Sequence, residues 1–115
     1  MARTALNPIS VPHPYAAAAA DLSWTAADAV NGNCFIFSGK EILLAQNTGT
    51  SEATITISTV ACSHGRTGDI VKVLGAGNFC IFPALYYAEG FMQADGKVYV
   101  NANSADVKLA VLRIP

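Results

Sequence analysis

The segment of residues 53–60 places the strongest single constraint on the fold. It reads Ala-Thr-Ile-Thr-Ile-Ser-Thr-Val, so small or apolar residues alternate with hydroxyl side chains. A period of two puts Ala53, Ile55 and Ile57 on one face of a strand and the hydroxyl residues on the other. The β-branched side chains also favour an extended backbone. The pattern therefore predicts a strand with one buried face and one face toward solvent.

Further short segments of strand character follow one another along the chain, with turn signals between them. The predicted strands are residues 34–37, 41–46, 70–74, 79–82, 97–100 and 107–114. Gly75-Ala76-Gly77-Asn78 and Asp95-Gly96 are typical turn sequences, and Pro83 either ends its strand or places it at a sheet edge. Short strands with turn signals about every 8–12 residues are typical of sandwiches and small barrels. We therefore expect an all-β fold, an antiparallel β-sandwich or a small barrel.

Two of these strands carry more specific expectations. In residues 70–74 the alternation predicts that Lys72 points outward. The C-terminal strand alternates Val107, Leu109 and Val111 with residues that are also apolar in its second half, namely Ala110, Leu112 and Ile114. A strand that is apolar on both faces is buried between layers or against another subunit.

The N-terminal residues 1–20 are expected to form an extended arm in front of a β-sandwich domain of residues 21–115. Three prolines fix their own φ and bias the preceding residues away from helix. Without an unbroken strand pattern, the segment is expected to stay outside the sandwich, either as a frayed tail or as an arm that orders on a neighbouring subunit. Trp24 is open to two interpretations, core packing and interface anchoring. The predicted protein–protein contacts are Ile9, Val11, Pro12, Pro14, Tyr15 and Trp24.

Composition argues against several classes of protein. Seven Lys and Arg residues against eight Asp and Glu give a net charge of -1, without the basic stripe of a nucleic-acid binder. Hydrophobic residues make up 52% of the chain, which argues against disorder. No apolar run reaches the roughly 18–20 residues of a membrane span. The first residues lack the apolar core of a secretory signal, so we expect cytoplasmic synthesis. The three cysteines form no CxxC pair, and we expect no intramolecular disulfide.

The sequence gives no positive signal for catalysis. His64, Arg66 and Asp69 follow Cys62 in a Gly-containing segment that is interpreted as an exposed loop, because a nucleophilic site needs partners from separate strands. A metal site needs three or four well-placed ligands. A general acid–base pair among the eight carboxylates stays open, although four of them flank turns, where they are solvated or cap the backbone. We expect a protein without enzymatic activity, cofactor or metal. The turn-flanking carboxylates are Glu41, Asp69, Asp95 and Asp106.

Residues 37–49 and the alternating strand that follows them are combined with four later segments in a characteristic order and spacing. These segments are Gly75-Ala76-Gly77, Phe82-Pro83, residues 95–100 and residues 107–114. In these features residues 31–114 resemble the small head-decoration (cement) proteins of tailed bacteriophages. The resemblance implies a compact β-sandwich resembling a jelly roll, displayed on the capsid surface and made in the cytoplasm of the bacterial host. Its implied partners are the major capsid protein and further copies of itself, as a dimer or trimer.

Two other functions remain open at this stage. One is a different phage structural component, from the tail, neck or fibre base. The other is a carbohydrate-binding β-sandwich module, which needs exposed aromatic side chains on one common surface. The candidates for that surface are Trp24, Tyr86, Tyr87, Phe91 and Tyr99.

Overall fold

The computed structural model describes residues 3–16, 18–59, 68–83 and 91–115. This part of the chain contains ten β-strands and one short 3-10 turn at Pro14–Ala16. The strands are β1 (Thr4–Ala5), β2 (Ile9–Ser10), β3 (Thr25–Ala26), β4 (Asn33–Ile36), β5 (Glu41–Asn47), β6 (Ala53–Ile57), β7 (Ile70–Leu74), β8 (Phe79–Ile81), β9 (Lys97–Ala102) and β10 (Val107–Arg113). The expected all-β fold is confirmed.

The strands form two packed sheets, which confirms the expected sandwich. The first sheet has the order β1-β4-β9-β6-β7, and the second has the order β2-β10-β5-β8, with β3 also paired to β10. Because β7 and β8 are joined by the turn at residues 75–78, the chain passes from one sheet to the other at that side of the sandwich. Gly77 has φ +75° in this turn, a conformation that favours glycine.

The core lies between the inner faces of the two sheets, where the alternation of the sequence predicts it. Ala53, Ile55 and Ile57 of β6 are buried, and β10 contributes Val107, Leu109 and Val111. Each strand thus places every second side chain in the same apolar layer. Burial of such side chains stabilises a fold by about 1.5–3 kcal/mol each.

The N-terminal segment is part of the sandwich, so the expectation that residues 1–20 stay outside it is wrong for residues 3–11. β1 pairs with β4 in the first sheet, and β2 pairs with β10 in the second. Between them Leu6 enters the core with 3% of its surface exposed. Two residues per strand need no long alternating pattern, which is why the sequence did not reveal them. Both pairings are parallel, so the sheets are mixed and not purely antiparallel.

The remainder of the predicted arm stands away from the core. Tyr15 lies in the 3-10 turn, has 92% of its surface exposed, and stacks on His13 with ring centroids 5.1 Å apart. Residues 18–23 are also exposed. Within the predicted arm, the described residues 13–16 and 18–20 are therefore all exposed and belong to no strand.

The predicted orientation of β7 is wrong. Leu74 is buried and pairs with Ala53, whereas Val71 and Val73 are 58% and 51% exposed. Lys72 consequently shares the inward face with Leu74. It stays exposed because β7 is the last strand of its sheet.

Leu6→Ala should lower the free energy of unfolding by about 2–5 kcal/mol, because it leaves a cavity between the sheets. Tyr15→Ala, the control within the same N-terminal segment, should change it by less than about 0.5 kcal/mol. Urea unfolding followed by tryptophan fluorescence measures both values. Equal stability of the two variants would show that the N-terminal segment does not contribute to the core.

Candidate binding surface

The outer face of the second sheet is largely apolar. The pairing of β5 with β10 and β8 places Leu44 between Ala110 and Ile81, and places Ile42 beside Leu112. Ile9 of β2 extends this second row on the other side of Leu112. Lys108 and Gln46 are the polar residues of the neighbouring row. We call this face, with Phe79 and Trp24 at its border, the apolar face.

Strand β8 carries the most exposed part of the apolar face. Phe79 and Ile81 are 68% and 74% exposed, whereas the intervening Cys80 packs against the core. Within the described residues β8 is the last strand of its sheet, as the position of Pro83 had suggested. Two large apolar side chains therefore stand on a sheet edge, where they have few neighbours of their own chain.

Trp24 reaches across the same face. Trp24 directly precedes β3, which pairs with β10. Its ring nevertheless contacts Phe79 on β8, the strand at the far edge of the sheet, with ring centroids 6.3 Å apart and planes inclined by 57°. The ring must therefore lie over the outer side of the second sheet. Ala110, which belongs to that outer side by its register, is buried. Trp24 is half-buried and lies outside the core cluster, so it does not pack in the core, and interface anchoring stays a prediction.

The outer face of the first sheet has a different character. Register places Thr54, Thr56 and Asn101 there, together with Tyr99, whose ring lies 4.2 Å from the Arg3 guanidinium carbon. Val71 and Val73 are its exposed apolar residues on β7. Hydroxyl, amide and charged groups thus interrupt this face, whereas the apolar face of the second sheet is nearly continuous.

The structure separates the predicted contact residues into two groups. Ile9 and Trp24 belong to the apolar face, and the Val11 N–H donates to the Arg113 carbonyl at 2.8 Å beside it. Pro12 is half-buried next to Val11, whereas Pro14 and Tyr15 lie in the exposed 3-10 turn.

Sequence reasoning missed Phe79 and Ile81 as members of this surface. Their strand was predicted, but all three of its residues are apolar, so the sequence does not indicate which of its faces is exposed to solvent. The available signal was the double-sided apolar character of the C-terminal strand, and residues 42–44 of β5 show the same character. Two neighbouring strands that are apolar on both faces indicate an outer face with a partner.

An ion pair between a buried carboxylate and a half-buried arginine holds one end of the second sheet. The Glu41 carboxylate is fully buried and accepts hydrogen bonds from the Arg113 Nε at 2.7 Å, from the Ser38 N–H at 2.6 Å and from the Ser38 hydroxyl. Burial acts to raise the pKa of Glu41, but the hydrogen bonds from Ser38 and Arg113 outweigh it, so the pKa lies below its usual value. All of the donors are internal to the chain, which makes this carboxylate a structural group.

Two of the other turn-flanking carboxylates, Asp69 and Asp95, accept hydrogen bonds from nearby donors. Asp69 accepts from the N–H and hydroxyl of Thr59 at 2.9 and 3.0 Å. Asp95 accepts from the Tyr99 hydroxyl at 2.7 Å, which lowers the pKa of Asp95 and raises that of Tyr99. Asp106 receives the Thr48 N–H on its backbone carbonyl. The predicted loop residues His64 and Arg66 lie outside the described residues.

Cys34 and Cys80 are free thiols, and Cys62 lies outside the described residues. The described part of the chain contains no group of three or more histidine, cysteine or carboxylate side chains placed to hold a metal ion. It also contains no helix long and apolar enough to cross a membrane.

The aromatic residues proposed for carbohydrate binding do not share one surface where they are described. Trp24 lies on the apolar face, Tyr99 lies on the outer side of the first sheet, and Phe91 packs against the core. Tyr86 and Tyr87 lie outside the described residues.

Comparison with known proteins gives no relative: no protein-family model matches the sequence, and neither a curated protein nor a solved structure matches it.

Glu41→Gln should lower the free energy of unfolding at pH 7 by about 2–3 kcal/mol, because Arg113 then faces a neutral group in a buried site. The folded pKa of Glu41 lies below its unfolded value. The stabilisation is therefore complete above about pH 4.3, the unfolded value, and is lost as the pH falls through the lower folded value. Wild type and variant should converge in acid.

Glu52→Gln is the matched control, because Glu52 is exposed and its loss should cost less than about 0.5 kcal/mol at any pH. Denaturant titrations between pH 7 and pH 3 measure all three proteins. A difference between Glu41→Gln and wild type that persists unchanged into acid would contradict an ionised Glu41 as the source of the stabilisation.

Proposed function

We propose that this chain is a non-enzymatic structural protein of a tailed bacteriophage, which binds the outside of the capsid and stabilises it. Its partners are the major capsid protein and further copies of itself. It is made in the cytoplasm of the bacterial host and resides on the virion surface. The sequence resemblance to head-decoration proteins suggests this biological setting, and the structure contributes a surface suited to binding.

The apolar face of the second sheet is the observation that carries the proposal. Apolar side chains that share one solvent-facing surface mark interaction sites. On this face Phe79 and Ile81 are exposed, and Ile9, Ile42, Leu44 and Leu112 are half-buried. Here the apolar side chains come from β2, β5, β8 and β10, so they stand on a rigid sheet. A rigid surface loses little conformational entropy when it binds.

Binding through such a face is sufficient for a cement role, since a cement protein stabilises a shell by mass action. A protein that binds the assembled shell, but not its dissociated subunits, shifts the equilibrium toward the shell. The polar rim needed around an apolar centre is available in Lys108 and Gln46. The low charge of the chain, -1 overall, keeps long-range repulsion between neighbouring copies small.

Tail, neck and fibre-base components share the same requirement for an adhesive face. Antibody labelling of virions in the electron microscope separates these locations, since the proposal requires label on heads. Label on tails alone would transfer the binding role to that part of the particle.

Leu112→Lys should weaken binding to undecorated heads at least tenfold, because it places a charge at the centre of the apolar face. The control is Val73→Lys, which places the same charge on the outer face of the first sheet, where Val73 is exposed, and which should leave binding within about twofold. Occupancy on particles across a dilution series measures both, after thermal unfolding has shown that the variants are folded.

Trp24→Ala tests the same face by truncation. Loss of an interface tryptophan costs about 2 kcal/mol or more, which is roughly a 30-fold change in affinity. If Trp24→Ala and Leu112→Lys both occupy heads as well as Val73→Lys does, the apolar face is not the capsid contact.

A further inference from the structure

Along β8, the backbone N–H and C=O groups of successive residues point alternately toward β5 and toward the open edge of the sheet. The Asn78 carbonyl accepts from the Asn47 N–H at 3.0 Å, and the Phe82 N–H donates to the Leu43 carbonyl at 2.9 Å. Cys80 lies midway and is opposite Ala45. Because antiparallel strands bond through every second residue, the N–H and C=O of Cys80 point toward β5. Those of Phe79 and Ile81 point away from it, to the open edge.

This edge lacks the charged side chains that commonly protect a sheet edge. In the part of the chain that the structure describes, no donor or acceptor meets the backbone groups of Phe79 and Ile81. Charged, inward-pointing side chains commonly block edge pairing, and Lys72 has that position on β7. The edge strand β8 has instead two exposed apolar residues and no charge.

We propose that β8 pairs in an antiparallel manner with β8 of a second copy, about a two-fold axis at Cys80. In this register Phe79 is opposite the partner's Ile81, and the two copies exchange four backbone hydrogen bonds. Cys80 is opposite the partner's Cys80 as a non-hydrogen-bonded pair, with Cα atoms about 4.5 Å apart. The two second sheets become one continuous sheet.

A second copy fits this edge because the edge is complementary to itself. Its outward-facing groups form a pattern that reads the same after a two-fold rotation, since Phe79 and Ile81 lie symmetrically about Cys80. An uncharged edge brings no like charges together, which is a requirement for an isologous contact. Each Phe79 also meets an isoleucine across the strands, a favourable pair of aromatic and β-branched side chains.

Pro83 limits the contact to a closed pair. It falls in the same outward phase as Phe79 and Ile81, but it has no N–H to donate. The hydrogen-bond ladder therefore ends after Ile81 on each copy. The pairing leaves neither copy with a free β8 edge to which a third strand could add. The contact is smaller than a standard interface of about 1,600 Å², so the dimer is reversible and depends on concentration.

This inference deepens the self-association in the proposed function, although pairing in solution requires no capsid. The pair would present two apolar faces side by side on one sheet. Linked binding sites gain apparent affinity through their effective concentration, so two such faces bind a shell with repeated subunits more tightly than one.

Oxidative crosslinking of the Cys62→Ser chain tests the register. This variant keeps Cys80 and the buried Cys34. Copper-phenanthroline oxidation at about pH 8.5, needed because a thiolate is the reactive form and burial raises the pKa of Cys80, should yield a dimer linked through Cys80. A Cα separation near 4.5 Å is compatible with a disulfide. Non-reducing gels and peptide mass spectrometry identify the link, and the Cys62→Ser/Cys80→Ser chain should give none.

Ile81→Lys and Val71→Lys, both made in the Cys62→Ser chain, form the matched pair, since both place a lysine at an exposed apolar position of an edge strand. Ile81→Lys should reduce the crosslinked fraction at least tenfold, whereas Val71→Lys should leave it within twofold. Sedimentation of the full chain with its native cysteines should show a concentration-dependent dimer that Ile81→Lys abolishes. Equal crosslinking of both lysine variants, or no Cys80-linked dimer from the Cys62→Ser chain, would overturn the proposal.

The head-occupancy assay distinguishes this failure from failure of the capsid role. A chain that stays monomeric in solution, and whose occupancy on heads falls with Ile81→Lys, would assign β8 to the capsid protein and overturn pairing with a second copy. A chain that crosslinks through Cys80 but binds no heads would retain the dimer and reject the capsid role.

Discussion

The sandwich depends on one apolar layer between two sheets, and that layer must be shielded from water at its sides as well as at its faces. At one side the turn of residues 75–78 carries the chain from β7 to β8. At the other side the N-terminal segment crosses from β1 to β2 and places Leu6 in the core. A domain of 115 residues has little apolar surface to spare, so each crossing segment contributes to the fold directly.

Buried polar side chains fix where these crossings occur. The Asn33 amide donates to the Thr4 carbonyl at 3.2 Å and accepts from the Asp28 N–H at 2.9 Å, which ties β1 and the preceding loop to β4. The Asn47 amide donates to the carbonyls of Leu74 and Ser51 and accepts from the Gly49 N–H. Each amide satisfies backbone groups that no strand partner reaches. Loss of the Asn47 amide would leave the buried Leu74 carbonyl without this partner, at a cost of about 1–3 kcal/mol.

The sequence was sufficient to predict strands that show an alternating pattern. It was insufficient for strands whose position depends on a few individual contacts. The strands β4 to β10 follow from alternation and turn residues, and their core faces follow from the same period, with β7 as the exception. The polarity pattern of β7 is ambiguous, because its only polar side chain is Lys72 between Val71 and Val73. The burial of Leu74 decides which face of the strand points inward. Strands β1 and β2 were missed because their stability comes from Leu6 and from parallel pairing to strands about 30 and 100 residues away. The apolar face was indicated in part by β10, but its open edge at β8 depends on the strand order.

The edge strands β7 and β8 face each other across the sandwich and differ in character. The open edge of β8 therefore comes from the residues of that strand and not from the fold alone. Strands β7 and β8 are consecutive, are joined by one turn and end their respective sheets. Lys72 lies on the inward side of β7, and its charge acts on the Cys80 thiol of β8. One lysine thus places a charge near both edges, and an inward-pointing charge of this kind disfavours addition of a strand to the first sheet. Pairing with a further strand is therefore favoured at β8, which belongs to the sheet with the apolar face. A strand added there extends the sheet and the binding surface together.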